Sequence, residues 1–114
     1  MKLIETNFEL ENRTRIVESL EAALGVPREF WERKRSKRQD EVRIRHIYAY
    51  LLYKYGGYTL KQSANILGHK NHTTIIHSYR TVEEWLELPQ MYKLENRIVK
   101  LFLEEYEQRN QIAD

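Results

Sequence analysis

Two helical patterns joined by a very short turn constrain the fold of this chain most strongly. Apolar residues recur at helical spacing from Leu60 to Leu67, and again from His72 to about Leu86. Thr59 is suited to cap the first helix and Gly68 to end it, while Asn71 is a good N-cap for the second. The two patterns therefore predict a helix-turn-helix.

Three further helical patterns surround this pair. The first runs from about Phe8 to Leu24, the second from Asp40, a plausible N-cap, to Tyr55, and the last from about Gln90 to Gln111. The predicted core residues are Ile16, Val17, Leu20, Ala23, Leu24, Phe30, Trp31, Ile44, Ile47, Tyr48, Leu51, Leu52, Tyr55, Leu94, Ile98, Leu101 and Phe102. With four Gly, two Pro and 114 residues, the chain is expected to be one all-α domain of five to six helices, residues 1–114.

Composition excludes several classes of protein. The chain has no Cys, which excludes disulfide scaffolds, thiolate metal sites and cysteine nucleophiles, and favours an intracellular compartment. No apolar run approaches the roughly 18 residues that span a bilayer, so no membrane partner is expected.

The distribution of charge is more informative than its net value of +2. Residues 28–82 carry 12 Lys and Arg against 4 Asp and Glu, whereas the flanks carry 7 against 13, and no carboxylate lies between His46 and Val82. Residues 33–38 contain five cations and form an expected exposed loop. A basic centre between acidic ends indicates a polyanion partner, with chance segregation as the alternative.

The helix predicted from His72 has two different sides. Its core side is formed by Ile75, Tyr79, Val82 and Leu86. Its outer side is formed by Thr73, Thr74, His77, Arg80 and Thr81. Short Thr side chains let a helix approach phosphates or base edges closely, and their methyls can pack on thymine methyls. This polar outer side favours nucleic-acid binding over a neutral solvated face.

The residues from Leu60 to Ser78, with a Gly, a basic residue, Asn and then His-Thr-Thr, resemble the signature of a known family. That family is the C-terminal DNA-binding domain of the bacterial replication initiator DnaA. The Gly25-Val26 pair, the basic loop and the Arg-rich start of the long helix extend the resemblance to roughly residues 12–105.

The resemblance implies a Trp-repressor-like helical fold that binds a short asymmetric box in double-stranded DNA as a monomer. The residues that it implies contact bases are Asn71, His72, Thr73, Thr74 and Arg45. Arg45 would contact either bases or the DNA backbone. In the minor groove it implies Lys37 or Arg38, with Arg38 preferred. The implied contacts to the DNA backbone are Arg35, Arg43, Leu60, Lys61, Lys70, His77 and Arg80. The resemblance also implies a cytoplasmic, nucleoid-associated location in a bacterium, with other replication proteins as possible partners.

This sequence departs from the family pattern at three points. Asn71 stands where the family usually has an acid, and His46 stands where it has Gln after the residue matching Arg45. The preferred box is therefore open, because Asp only accepts hydrogen bonds whereas Asn also donates them. The chain also contains no G-x-x-x-x-G-K-[ST] loop, so no nucleotide cofactor is expected.

Other functions fit the sequence less well than DNA binding does. The four histidines (His46, His69, His72, His77) suggest a metal site, but zinc needs three or four converging ligands, and no Cys or carboxylate is near. The same lack of acids argues against acid–base catalysis, so no enzyme is expected. Tyrosines at 48, 50, 53, 55 and 58 could stack on single-stranded bases, although core packing is preferred.

Several roles remain open from the sequence. The DNA binder could act in replication, or as a transcriptional regulator, or as a competitor that occupies boxes. Alternatively, the C-terminal helix, with its acidic residues Glu104, Glu105 and Glu107, could be the binding element of a protein-interaction adaptor. The stripe of Leu94, Ile98, Leu101 and Phe102 fits either a dimer seam or a helix that closes the core.

Overall fold

A computed structural model describes residues 7–30, 39–69 and 71–113. Their helices are α1 (Asn7–Leu24), α2 (Gln39–Tyr55), α3 (Leu60–Leu67), α4 (Thr73–Glu87) and α5 (Lys93–Ala113), with one 3-10 turn at Arg28–Phe30. No strand occurs in these ranges. The predicted all-α fold with a helix-turn-helix is confirmed. The basic loop (residues 33–38), Trp31 and the side chain of Phe30 lie outside what is described.

The bounds of α3 follow from its capping residues, as predicted. The Thr59 side chain accepts a hydrogen bond from the Gln62 N–H, and the Gln62 side chain accepts one from the Thr59 N–H, which is a capping box. At the other end Gly68 has φ 77°, the left-handed region that glycine adopts without strain. The His69 N–H then reaches back to the Ala64 carbonyl, a Schellman closure that forces the chain to turn.

Two predicted boundaries are wrong. Asp40 is not the N-cap of α2, because the helix begins one residue earlier, at Gln39. Helix α5 starts at Lys93 rather than near Gln90. The residues before it form a tight turn. The side-chain amide of Asn96, in the first turn of α5, donates to the carbonyls of Trp85 and Tyr92, both at 2.8 Å.

The main core lies where α1, α5 and α2 pack together. Its buried residues are Ile16, Val17, Leu20, Ile44, Ile47, Tyr48, Tyr50, Leu51, Leu52, Tyr58, Val82, Ile98, Val99 and Phe102. Of the five tyrosines between residues 48 and 58, three are buried in this core and Tyr55 packs against it. Core packing is therefore confirmed for most of these tyrosines. Tyr53 is the exception, with 37% of its surface exposed.

A polar contact ties the three core helices together. The Asn12 amide donates to the Tyr55 carbonyl at 3.0 Å, and the Tyr106 hydroxyl donates to the Asn12 side-chain oxygen. Asn12 is buried, so these hydrogen bonds satisfy a group that would otherwise be costly.

Leu94 departs from its predicted place in the core, since it is 53% exposed. It lines an open cavity of about 340 Å³ beside Ala23, Leu24 and Ile98. The first turn of α5 thus lies beside the end of α1, and residues of α2 line the same cavity. None of the described helices is long and apolar enough to cross a membrane.

Candidate nucleic-acid interface

Helix α4 is held on a small satellite core beneath the helix-turn-helix. Ile75 of α4 is fully buried against Ala49 of α2 and Ala64 of α3. The two alanines let the three helices approach closely, and Val82, about two turns further along the same face of α4, is fully buried in the main core. Tyr79 and Leu86 are half-buried beside it, which confirms the predicted inner side of α4.

The opposite side of α4 is open to solvent. His72, Thr73, His77 and Arg80 are exposed, and Thr74 and Thr81 are half-buried at the edges of this face. The Thr81 hydroxyl donates to the His77 carbonyl at 2.8 Å, so it is already occupied within the helix. We call the row Asn71, His72, Thr73, Thr74, His77 and Arg80 the outer face.

The side chain that caps the start of α4 is that of Asn71, one residue before the N-cap position. His72 occupies that position without a side-chain hydrogen bond, whereas the Asn71 side-chain oxygen accepts from the Thr73 N–H at 3.0 Å. The N–H groups of Thr74 and Ile75 donate to the carbonyls of Asn71 and His72. Because these backbone donors have acceptors, contacts of this end with a ligand must come mainly from side chains.

The start of α3 has the opposite character. Its capping box occupies the N–H groups of Thr59 and Gln62, and no acceptor in the described part of the chain is found for those of Leu60 and Lys61. The first turn contains no acidic residue, and the Lys61 side chain is exposed. Free N–H groups and the positive end of the helix dipole favour an anion such as phosphate.

The two arginines predicted at the start of α2 differ in their surroundings. The guanidinium of Arg43 lies 3.4 Å from a carboxylate oxygen of Glu95, a buried residue of α5. Arg45 is half-buried two residues later. No local pattern marks the Arg43–Glu95 pair, since 52 positions separate its members.

A histidine pair connects α2 to α4. The Nδ1 atom of His46 lies 2.8 Å from the hydroxyl of Ser78, and its ring meets the His77 ring edge to face at 5.6 Å. Burial, and then the nearby His77, Arg45 and His69, lower the pKa of His46 below its usual 6.5. This contact also was not predicted from the sequence.

Some predicted residues are not placed. Lys70, Arg35, Lys37 and Arg38 lie outside the described residues. Among the residues that are described, no group of three or more His, Cys, Asp or Glu is arranged to hold a metal ion.

The family model for the bacterial dnaA protein helix-turn-helix matches residues 14–82, well over half of the chain. This chain belongs to that family. The match starts within α1, includes α2 and α3, and ends at Val82 in α4, so it contains the whole outer face. Searches of curated proteins and of solved structures gave no significant match. The chain is thus a DnaA-type helix-turn-helix domain that binds double-stranded DNA.

Proposed function

We propose that this DnaA-type domain recognises a short DNA box as a monomer and takes part in replication initiation or its control. Helix α4 lies in the major groove, and the basic loop at residues 33–38 lies in the adjacent minor groove. The outer face of α4 carries this proposal: it is exposed, it contains no carboxylate, and buried Ile75 and Val82 fix its orientation.

Base recognition is assigned to side chains at the start of α4 and to Arg45. His72 and Thr73 are exposed there, and a Thr methyl can pack on the thymine methyl while an imidazole nitrogen hydrogen-bonds a base edge. Asn71 and Thr74 flank them. Arg45 is half-buried on α2, the helix on which α4 is held.

Contacts with phosphates are assigned to a second group of residues. The N–H groups of Leu60 and Lys61, which have no acceptor among the described residues, contact one phosphate, and His77 and Arg80 contact others along α4. Lys70 and Arg35 add positive charge. Arg43 is assigned a smaller share, because its guanidinium already faces Glu95.

Selection of bound duplexes from a random library tests the proposal and returns the box. If about five to seven phosphates are neutralised, log K against log salt should slope at roughly −4 to −6 on the selected duplex. A slope near zero would refute DNA binding and favour the adaptor that acts through the C-terminal helix.

Alanine variants separate base contacts from phosphate contacts. His72→Ala and Thr73→Ala should reduce discrimination between the selected box and a scrambled duplex by about 1–3 kcal/mol per lost contact. Lys61→Ala should weaken both duplexes alike. Lys100→Ala, an exposed lysine on α5, is the matched control and should change neither. Equal losses on both duplexes for His72 and Thr73 would show that α4 does not contact bases specifically.

The process that this binding serves needs a separate observation. Occupancy of the selected box near a replication origin would support control of initiation. Occupancy of promoters, with no effect on initiation, would replace it with transcriptional regulation.

A further inference from the structure

We propose that His46 couples DNA binding to proton uptake, so that the domain holds DNA more tightly as the pH falls. His46 is not among the DNA contacts assigned above. It lies behind the outer face, between α2 and α4, and acts on the interface through His77. The inference rests on the proposed function, because it requires phosphates beside α4.

The contact between His46 and Ser78 survives a change of charge. When His46 is neutral, its Nδ1 can accept the Ser78 hydroxyl proton at 2.8 Å; when it is protonated, Nδ1 donates to the same oxygen. A serine hydroxyl can do both by rotating. A proton can therefore be added to His46 without breaking the contact that helps to hold α4.

The surroundings of His46 disfavour that proton in the free protein. The charged or titratable neighbours that act on it are Arg45 on its own helix, His77 on α4, and His69 in the turn before α4. Trp85 lies at 6.1 Å and adds no charge. Burial is the largest cause of the lowered pKa of His46, and the electrostatic effects of His77, Arg45 and His69 add to it.

Bound DNA would raise the pKa of His46. His77 is exposed on the outer face, and its ring lies 5.6 Å from that of His46. A phosphate at His77 brings a negative charge close to His46, which favours the protonated form of the His46 ring. By linkage, a group that binds protons more tightly in the complex strengthens the complex as the pH falls.

The test measures affinity for the selected duplex from pH 5.5 to 8.0 at fixed salt. Each unit by which DNA raises the pKa of His46 gives a tenfold gain in affinity at low pH, so an increase of about three- to tenfold is expected from this residue. His46→Gln keeps a partner for Ser78 and cannot be protonated, so its affinity should change less with pH. His72→Gln controls for a histidine assigned to the bases, and should leave the His46-dependent part of the slope in place.

Histidine ring signals in NMR spectra give a readout that needs no variant. The pKa of His46 should rise when the selected duplex is added to the unmodified chain. The proposal is overturned if the pKa of His46 is the same with and without DNA, or if His46→Gln has the slope of the unmodified chain. Absence of box-specific binding at every pH would instead refute the proposed function.

Discussion

Replacement of Asn71 tests two roles of one side chain, as a helix cap and as a base contact. Its side-chain oxygen accepts the Thr73 N–H at 3.0 Å, and Asn71 itself is exposed. Loss of a cap typically costs about 1 kcal/mol, and here water can replace the acceptor, so Asn71→Ala should cost about 0.5–1 kcal/mol. With an unfolding entropy of roughly 2.1 cal/mol/K per residue, this lowers Tm by about 2–4 °C.

Asn71→Asp separates the two roles. Asp and Asn cap about equally well, so unfolding free energy should change by only a few tenths of a kcal/mol. Asp cannot donate a hydrogen bond and brings a negative charge to the groove, so base preference should shift at one position towards a donor such as the cytosine amino group. General affinity should fall modestly.

Thermal melts by circular dichroism and a repeated duplex selection provide the two measurements. An unchanged Tm for Asn71→Ala would refute the cap argument. An unchanged box with unchanged affinity for Asn71→Asp would restrict Asn71 to capping.

Three further outcomes are expected from the remainder of the fold. Tyr106→Phe leaves the buried Asn12 oxygen without its donor, so urea melts should show a loss of about 1–3 kcal/mol while the selected box stays the same. Ser63 has a buried hydroxyl for which no partner is found among the described residues, so Ser63→Ala should leave unfolding free energy unchanged or raise it by up to about 1 kcal/mol; a large loss would contradict this. Because the pKa of His46 is lowered in the folded chain, protons favour the unfolded state, so stability should be greatest above pH 6.5 and decrease as the pH falls through the lowered value. His46→Gln should flatten that decrease in melts recorded across the same pH range.

The elements that could be predicted from the sequence are those fixed by local chemistry. Thr59 and Gln62 form their capping box within one turn, and Gly68 ends α3 through backbone that glycine adopts readily, so α3 has its predicted bounds. The inner side of α4 followed from spacing alone, because a helix that packs on one side must place apolar residues three and four apart.

What could not be predicted depends on contacts between distant positions. Arg43 pairs with Glu95, and His46 contacts Ser78, but neither pair has a local pattern that marks it. Leu94 fits the apolar period of α5 and is nevertheless exposed, because the period gives the direction of a side chain and does not indicate where the neighbouring helix ends. The DNA-contacting roles of the outer face remain predictions.

The alanines beneath α4 bear on how such a domain can change its target over evolutionary time. Ile75 of α4 packs on Ala49 and Ala64 and so fixes the helix on its buried side. Most of the side chains on its exposed side contribute little to this packing. Substitutions on the exposed side can therefore alter the preferred box one position at a time without repacking the protein. A larger residue at Ala49 or Ala64 would instead displace the whole helix and disturb every contact with DNA at once. The domain can thus acquire new specificities gradually, and the same separation makes α4 a practical scaffold for designed ones.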